Sequence, residues 1–117
     1  MILCVVDDLM FTSKINAAAK ALGRDVAFER APDNVVARIR RDGPSLVIFD
    51  LNSKRLRPLD AIGALKADPD LRATRLIGYV SHVDADTIAA ARQAGIDEVL
   101  ARSAFTERLA EILTSAS

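Results

Sequence analysis

Two uninterrupted apolar segments of the chain each end in aspartate. Residues 2–6 run into Asp7 and Asp8, and residues 46–49 run into Asp50. Unbroken apolar runs of this length are typical of strands buried on both faces, as in a parallel sheet that helices cover on both sides. We therefore predict two central strands that carry carboxylates at their carboxyl ends.

Apolar residues at helical spacing fill the stretches between the predicted strands. Phe11, Ile15 and Leu22 follow this spacing, and Gly23 comes next as a typical helix stop. Five such helices alternate with five predicted strands, at residues 2–6, 26–28, 46–50, 76–80 and 98–101. The last helix is predicted to begin at Thr106. This alternation predicts an α/β fold, a doubly wound parallel sheet with helices on both faces.

Composition favours one domain whose main partner is not a nucleic acid. The chain has 117 residues, 50% of them hydrophobic, and a formal net charge of zero, so we expect a single domain over residues 1–117. The only cysteine, Cys4, lies in the first apolar segment, and we interpret it as a buried core residue. That segment is too short to span a membrane. We expect a cytoplasmic protein that has no membrane as a partner.

The carboxylates of Asp7, Asp8 and Asp50 are expected to meet, because parallel strands end at the same sheet edge, where open α/β sheets bind their ligands. Two carboxylates about 4 Å apart repel each other by roughly 4 kcal/mol at an effective dielectric near 20. Such a group needs a cation or raised pKa values. Carboxylate oxygens without nearby His or Cys suit Mg²⁺, which keeps several waters and bridges to phosphates. The edge is thus predicted to bring a phosphoryl group to a carboxylate.

Further positions extend this pattern along the whole chain. Asn52 follows Asp50 by two residues, Ala94-Gly95 precedes the fifth strand, and residues 100–105 place a basic residue and an aromatic after that strand. With the acidic pair after the first strand, these features resemble the receiver domains of response regulators, the CheY-like family. The resemblance implies a flavodoxin-like sheet with strand order 2-1-3-4-5.

The resemblance also implies roles for individual residues. Asp50 would accept the phosphoryl group. Asp7, Asp8 and Asp50, with the backbone carbonyl of Asn52, would bind Mg²⁺ or Mn²⁺ weakly. The family's switch adds a hydroxyl on the fourth strand and a lysine on the fifth, and both contact the phosphoryl group.

Partners follow from the same resemblance. A histidine kinase or phosphotransfer protein would donate the phosphoryl group in a two-component phosphorelay, and a downstream protein, whose identity the sequence does not give, would read the result. The surface of the fourth helix, fifth strand and fifth helix could support a homodimer. The chain would be a signalling domain and not an enzyme.

Two switch positions depart from the family pattern. Arg102 stands where the family has lysine, and arginine is longer, planar and fork-shaped. An ungapped match of the spacing places Val80 at the switch hydroxyl, and valine cannot donate a hydrogen bond. Ser81 is adjacent, but a shift of one residue turns a strand side chain to the opposite face. The spacing favours Val80 and leaves Ser81 as the alternative.

The loop after Asp50 departs as well, since Lys54, Arg55 and Arg57 stand where the family has Pro and Asp-Gly. We interpret it as a solvated basic loop. The alternative is that one of these cations reaches the acidic cluster and partly replaces the metal. His82 is interpreted as a surface residue and not a ligand.

Two functions remain open from the sequence. The first is a stand-alone receiver that is phosphorylated on Asp50 with Mg²⁺ but switches in an altered way. The second is a pseudo-receiver that acts through phosphorylation-independent protein binding, which Val80 and Arg102 favour. An aspartate-nucleophile phosphatase is disfavoured, because its second acid would stand where this chain has Asn52. A flavin-binding protein is disfavoured because no Ser/Thr/Gly-rich phosphate loop follows the first strand.

Overall fold

The fold is a five-stranded parallel sheet in the order β2-β1-β3-β4-β5, which confirms the predicted topology. The structure is a computed structural model, and it describes residues 1–81 and 84–116. His82 therefore lies outside the described residues. The strands are β1 Ile2–Val5, β2 Val26–Phe28, β3 Leu46–Asp50, β4 Arg75–Val80 and β5 Glu98–Ala101. The helices are α1 Leu9–Leu22, α2 Val35–Asp42, α3 Pro58–Ala67, α4 Ala85–Ala94 and α5 Arg102–Ser115.

Helices cover both faces of the sheet and form two separate cores. Strand residues such as Ile48, Ile77 and Tyr79 pack with α1 and α5, and we call this cluster the α1/α5 core. Phe49 and Val80 pack on the other face with α2, α3 and α4, in the α2/α3/α4 core. β1 and β3 are buried along their whole length, which explains their unbroken apolar sequences.

Most predicted boundaries lie within one residue of the observed ones, but the last helix begins earlier than expected. The sequence pattern placed its start at Thr106, whereas α5 begins at Arg102. The hydroxyl of Thr106 donates to the carbonyl oxygen of Arg102 at 3.1 Å, so Thr106 lies inside the helix and does not cap it. Pro32 begins a short 3₁₀ turn over Pro32–Asn34 ahead of α2.

The structure places the ends of β1, β3 and β4 side by side at the carboxyl edge of the sheet. β3 pairs with β1 and β4, and Asp50 pairs with Tyr79. Among residues 1–81 and 84–116, no helix is long and apolar enough to cross a membrane.

Candidate functional site

Asp50 is the one charged residue among the described residues that the fold buries, with 4% of its surface exposed. It is the last residue of β3, and its Oδ1 accepts a hydrogen bond of 3.0 Å from the backbone N–H of Asn52. Burial raises the pKa of Asp50, and the neighbouring charge of Asp8 raises it further. The backbone and side chain of Asn52 and the backbone N–H of Asp7 oppose this shift. The carboxylate is therefore poorly solvated and incompletely compensated.

We call the carboxyl edge of the sheet with Asp7, Asp8 and Asp50 the acidic edge. Asp8 connects this edge to the first helix. It is the N-cap of α1, and its Oδ1 accepts from the backbone N–H groups of Met10 at 2.7 Å and Phe11 at 3.3 Å. These bonds satisfy two donors that every helix leaves free at its start, and the negative charge suits the helix dipole. One oxygen of Asp8 is thus fixed by the helix while the residue also interacts with Asp50.

Asp7 is held by an arginine of the loop that follows β3. Arg55 donates to both carboxylate oxygens, from Nη2 to Oδ1 at 2.7 Å and from Nε to Oδ2 at 3.0 Å. The hydroxyl of Ser53 donates to Oδ2 at 3.2 Å. The hydrogen bond from Arg55 lowers the pKa of Asp7. The interpretation of this loop as simply solvated does not hold for Arg55, which reaches the acidic cluster.

Two carboxylates at this edge, those of Asp8 and Asp50, can bind a divalent cation directly, whereas Asp7 can do so only when Arg55 releases it. Asp8 and Asp50 each keep an oxygen that accepts no hydrogen bond of ordinary length from the described residues, whereas Asp7 has both oxygens engaged by Arg55. Within the described part of the chain, no three His, Cys, Asp or Glu side chains form a group that could hold a metal ion. Mg²⁺ is commonly bound by one or two carboxylates with water and phosphate oxygens completing its octahedron. The donor set therefore suits a weak Mg²⁺ site, to which the carbonyl of Asn52 could add.

Asn52 also acts through its side chain, a role that its spacing from Asp50 did not reveal. Its Oδ1 accepts from the backbone N–H of Ser81 at 3.0 Å, which ties the loop after β3 to the end of β4. Its Nδ2 is buried and makes no hydrogen bond of ordinary length with the described residues. Asn52 thus fixes Ser81 relative to Asp50.

The structure separates the two predicted switch positions. Val80 is fully buried in the α2/α3/α4 core. Ile48 and Tyr79 both pack in the α1/α5 core. Asp50 lies two residues after Ile48 and pairs with Tyr79, so its side chain is on that same face of the sheet. The side chain of Val80 is therefore on the face opposite to Asp50. Ser81 lines a cleft with Asp8 and Arg102. Of the two residues, Ser81 is the one on the acidic side of the sheet edge.

Arg102 lies across that cleft, at the start of α5. The cleft has a volume of about 630 Å³ and opens between the N-terminal turns of α1 and α5. The guanidinium carbon of Arg102 lies 5.5 Å from the centre of the Phe11 ring, within the range of a cation–π contact. The structure shows no salt bridge between Arg102 and the other described residues, so its position on Phe11 can change without breaking an ion pair.

An aromatic stack lies beneath the cleft and was not anticipated from the sequence. Tyr79 lies between Phe11 of α1 and Phe105 of α5, with ring centres 4.6 and 4.8 Å away. Its hydroxyl is buried without a partner among the described residues, and burial and nearby carboxylates raise its pKa. The signal was a tyrosine inside an otherwise apolar strand, since a buried phenol usually needs a hydrogen-bond partner.

Solved structures show what this architecture resembles. No protein-family model and no curated protein matches the sequence. A response regulator from Hahella chejuensis superposes with a TM-score of 0.86 at 16% identity, covering 98% of this chain and 92% of the other. The receiver domain of a Pseudomonas aeruginosa sensor histidine kinase gives 0.82 at 22% identity, covering 97% and 93%. The chemotaxis response regulator CheY4 of Vibrio cholerae gives 0.81 at 14% identity, covering 99% and 97%.

These structures superpose on nearly the whole of this chain. The superposition also covers nearly the whole of each compared chain, so no large element of either fold is left unmatched. At these identities the comparison concerns architecture, and it confirms the fold expected from the sequence pattern. The chain has the receiver-domain fold of response regulators.

Proposed function

We propose that the chain is a receiver in two-component signal transduction and that Asp50 accepts a phosphoryl group from a histidine kinase or phosphotransfer protein. The observation that carries this proposal is the Asp50 carboxylate itself. It is 4% exposed, stands at the carboxyl end of the central strand and accepts one backbone hydrogen bond of ordinary length. A structural aspartate with no further role would be costly there, because a buried charge needs full compensation.

The chemistry asks little of the protein beyond placement. An oxygen of Asp50 attacks the phosphorus of a phosphohistidine, an O–P bond forms, the N–P bond breaks, and the released imidazole takes up a proton. Mg²⁺ or Mn²⁺ would be held by Asp8, Asp50 and the carbonyl of Asn52, with Asp7 joining them once Arg55 leaves it, and would neutralise the charge of the phosphoryl oxygens. The receiver domain from Pseudomonas aeruginosa has a magnesium ion coordinated in its active-site cleft, which supports a divalent cation as the partner of this site.

Ser81 and Arg102 are the residues best placed to sense the new group. Both line the cleft beside Asp8, and Arg102 is free to leave the ring of Phe11. A hydrogen bond to a charged phosphoryl oxygen contributes about 1.5–3 kcal/mol, enough to change a two-state population by ten-fold or more. The start of α5 would then follow Arg102. Homodimerisation through α4, β5 and α5 stays a prediction.

Phosphoryl uptake tests the proposal directly. The wild-type protein, incubated with Mg²⁺ and phosphoramidate or acetyl phosphate, is expected to gain the mass of one phosphoryl group in intact-mass spectrometry. Asp50→Asn should abolish the gain, and Asp60→Asn, at an exposed position in the first turn of α3, should retain it. An unmodified wild type, under conditions that modify an ordinary receiver in the same tube, would refute phosphorylation.

One observation favours a second function. The bidentate pair between Arg55 and Asp7 supplies a positive charge at the acidic edge without any metal. A pseudo-receiver would use this fold for phosphorylation-independent protein binding. In that case partner binding, measured with the purified partner, would be unchanged by Asp50→Asn and by removal of Mg²⁺ with chelator.

A further inference from the structure

We infer that Arg55 is an internal competitor of the divalent cation, so that metal binding and the Arg55–Asp7 ion pair oppose each other. The inference rests on the proposed function, since it concerns the same metal site. It goes further in assigning to one loop residue the control of metal affinity. A metal-free protein would keep the arginine on Asp7, and a metal-bound protein would release it.

The contact geometry allows Arg55 to hold the carboxylate of Asp7 firmly against a competing cation. Arg55 uses Nε and Nη2 on the two oxygens of Asp7, which is the fork-to-fork arrangement that gives arginine its strongest carboxylate contacts. The two residues are 48 positions apart in sequence, so only the folded sheet edge brings them together. A cation that needs an oxygen of Asp7 must displace a hydrogen bond of 2.7 or 3.0 Å.

The loop is anchored independently of Arg55, which makes the contact replaceable. Leu56 is 1% exposed in the α2/α3/α4 core, and Arg57 forms an ion pair with Asp33. The side chain of Arg55 is 54% exposed and that of Asp7 is 32% exposed. Arg55 can therefore swing into solvent while the backbone around it stays in place.

The electrostatics give the competition its direction. The guanidinium stays charged at every pH at which the protein is folded, so pH does not remove the competitor. Without metal it neutralises one of three neighbouring carboxylates and stabilises the edge. With metal it adds a like charge beside the cation and weakens binding. The coupling is reciprocal: the free energy by which the Arg55–Asp7 ion pair weakens metal binding equals the free energy by which bound metal weakens the ion pair.

A titration compares two arginines of the same loop. Mn²⁺ and Mg²⁺ affinities are measured by calorimetry for wild type, Arg55→Gln and Arg57→Gln. We expect Arg55→Gln to bind about five-fold more tightly or better, the lower end of ordinary coupling between two sites. Arg57→Gln is the matched control, because Arg57 pairs with Asp33 and not with the acidic edge. Its affinity should equal that of wild type.

Two further readouts separate competition from a merely structural role. In chelator, Arg55→Gln should melt below wild type, and saturating Mg²⁺ should cancel or reverse the difference, whereas a structural arginine would give a constant difference. In wild type, the Nε–H resonance of Arg55 should move on adding Mg²⁺.

The possible outcomes distinguish this inference from the proposed function. Equal affinities for wild type and Arg55→Gln would overturn the inference and leave phosphorylation of Asp50 untouched. Absence of metal binding in both proteins would also overturn it. Tighter binding by Arg55→Gln, together with a wild type that takes up no phosphoryl group, would support the inference and refute the proposed phosphorylation.

Discussion

Replacing Asp50 by asparagine should make the metal-free protein more stable, although it removes the residue on which the proposed chemistry depends. The carboxylate is 4% exposed and accepts one hydrogen bond of ordinary length, from the N–H of Asn52. It also lies near the charge of Asp8. Asparagine keeps the shape and an acceptor oxygen but carries no charge. It therefore removes both the cost of burying a charge and the repulsion from Asp8.

The size of the effect follows from what the carboxylate lacks. Leaving a buried polar group undercompensated costs about 1–3 kcal/mol, and more when it is charged. We therefore expect the free energy of unfolding to rise by about 1–3 kcal/mol in Asp50→Asn. For a domain of this length, each kcal/mol corresponds to a rise of roughly 3–6 °C in Tm. Urea unfolding in chelator, followed by far-ultraviolet circular dichroism, measures the difference.

The pH dependence has a definite sign. Because the pKa of Asp50 is raised, the folded protein binds this proton more tightly than the unfolded chain does. The penalty is absent below the ordinary aspartate pKa of about 3.9, grows as pH rises, and is complete above the raised pKa. The stability gap between Asp50→Asn and wild type should therefore widen from acid to neutral pH and then stay constant.

Two neighbouring aspartates serve as controls with different expected signs. Asp8→Asn keeps the helix cap, because asparagine caps as well as aspartate does, and it should reduce the gain from Asp50→Asn when the two are combined. Asp7→Asn breaks the pair with Arg55 and should not stabilise the protein. A less stable Asp50→Asn, or a gap independent of pH, would refute the reasoning.

Three other predictions concern the surroundings of the site. Tyr79→Phe should leave the free energy of unfolding unchanged or raise it by up to about 1 kcal/mol, because the buried hydroxyl has no partner among the described residues; a loss of several kcal/mol in urea unfolding would reveal a hidden bond. Gly78→Ala should cost about 1–3 kcal/mol, because its new Cβ would stand 2.6 Å from Leu51 Cδ1 and 2.9 Å from Ile96 Cδ1; an unchanged Tm would show that both side chains yield freely. Burial raises the pKa of Cys4 to about 12, so iodoacetamide at pH 8 should modify it only when urea unfolds the chain; rapid labelling of the native protein, seen by mass spectrometry, would contradict this.

The sequence was sufficient to predict the fold because each central strand has its own simple signal. Unbroken apolar runs such as those of β1 and β3 are typical of strands covered on both faces, and the structure has helices on both faces. The start of α5 was misplaced at Thr106 because Ala101 gives no side-chain hydrogen bond at the N-cap, so the usual sequence signal was missing.

The site could be predicted only in part from the sequence. The position of Asp8 and Asp50 at one edge of the sheet follows from the strand pattern. The pairing of Arg55 with Asp7 does not, because it depends on how the loop after Asp50 turns back over the sheet edge. Counting positions also favoured Val80, whereas the strand pairing turns Val80 away from Asp50. The sequence pattern did not indicate which way the loop after Asp50 turns, nor which residue at the end of β4 faces Asp50.

The aromatic stack gives this protein an intrinsic optical probe. The chain has no tryptophan and a single tyrosine, so its near-ultraviolet dichroism and tyrosine emission arise mainly from one ring. That ring lies between helices α1 and α5 and is the cross-strand neighbour of Asp50. Any event that moves either helix is expected to change its spectrum, so rearrangements at the acidic edge can be followed in real time on unlabelled protein.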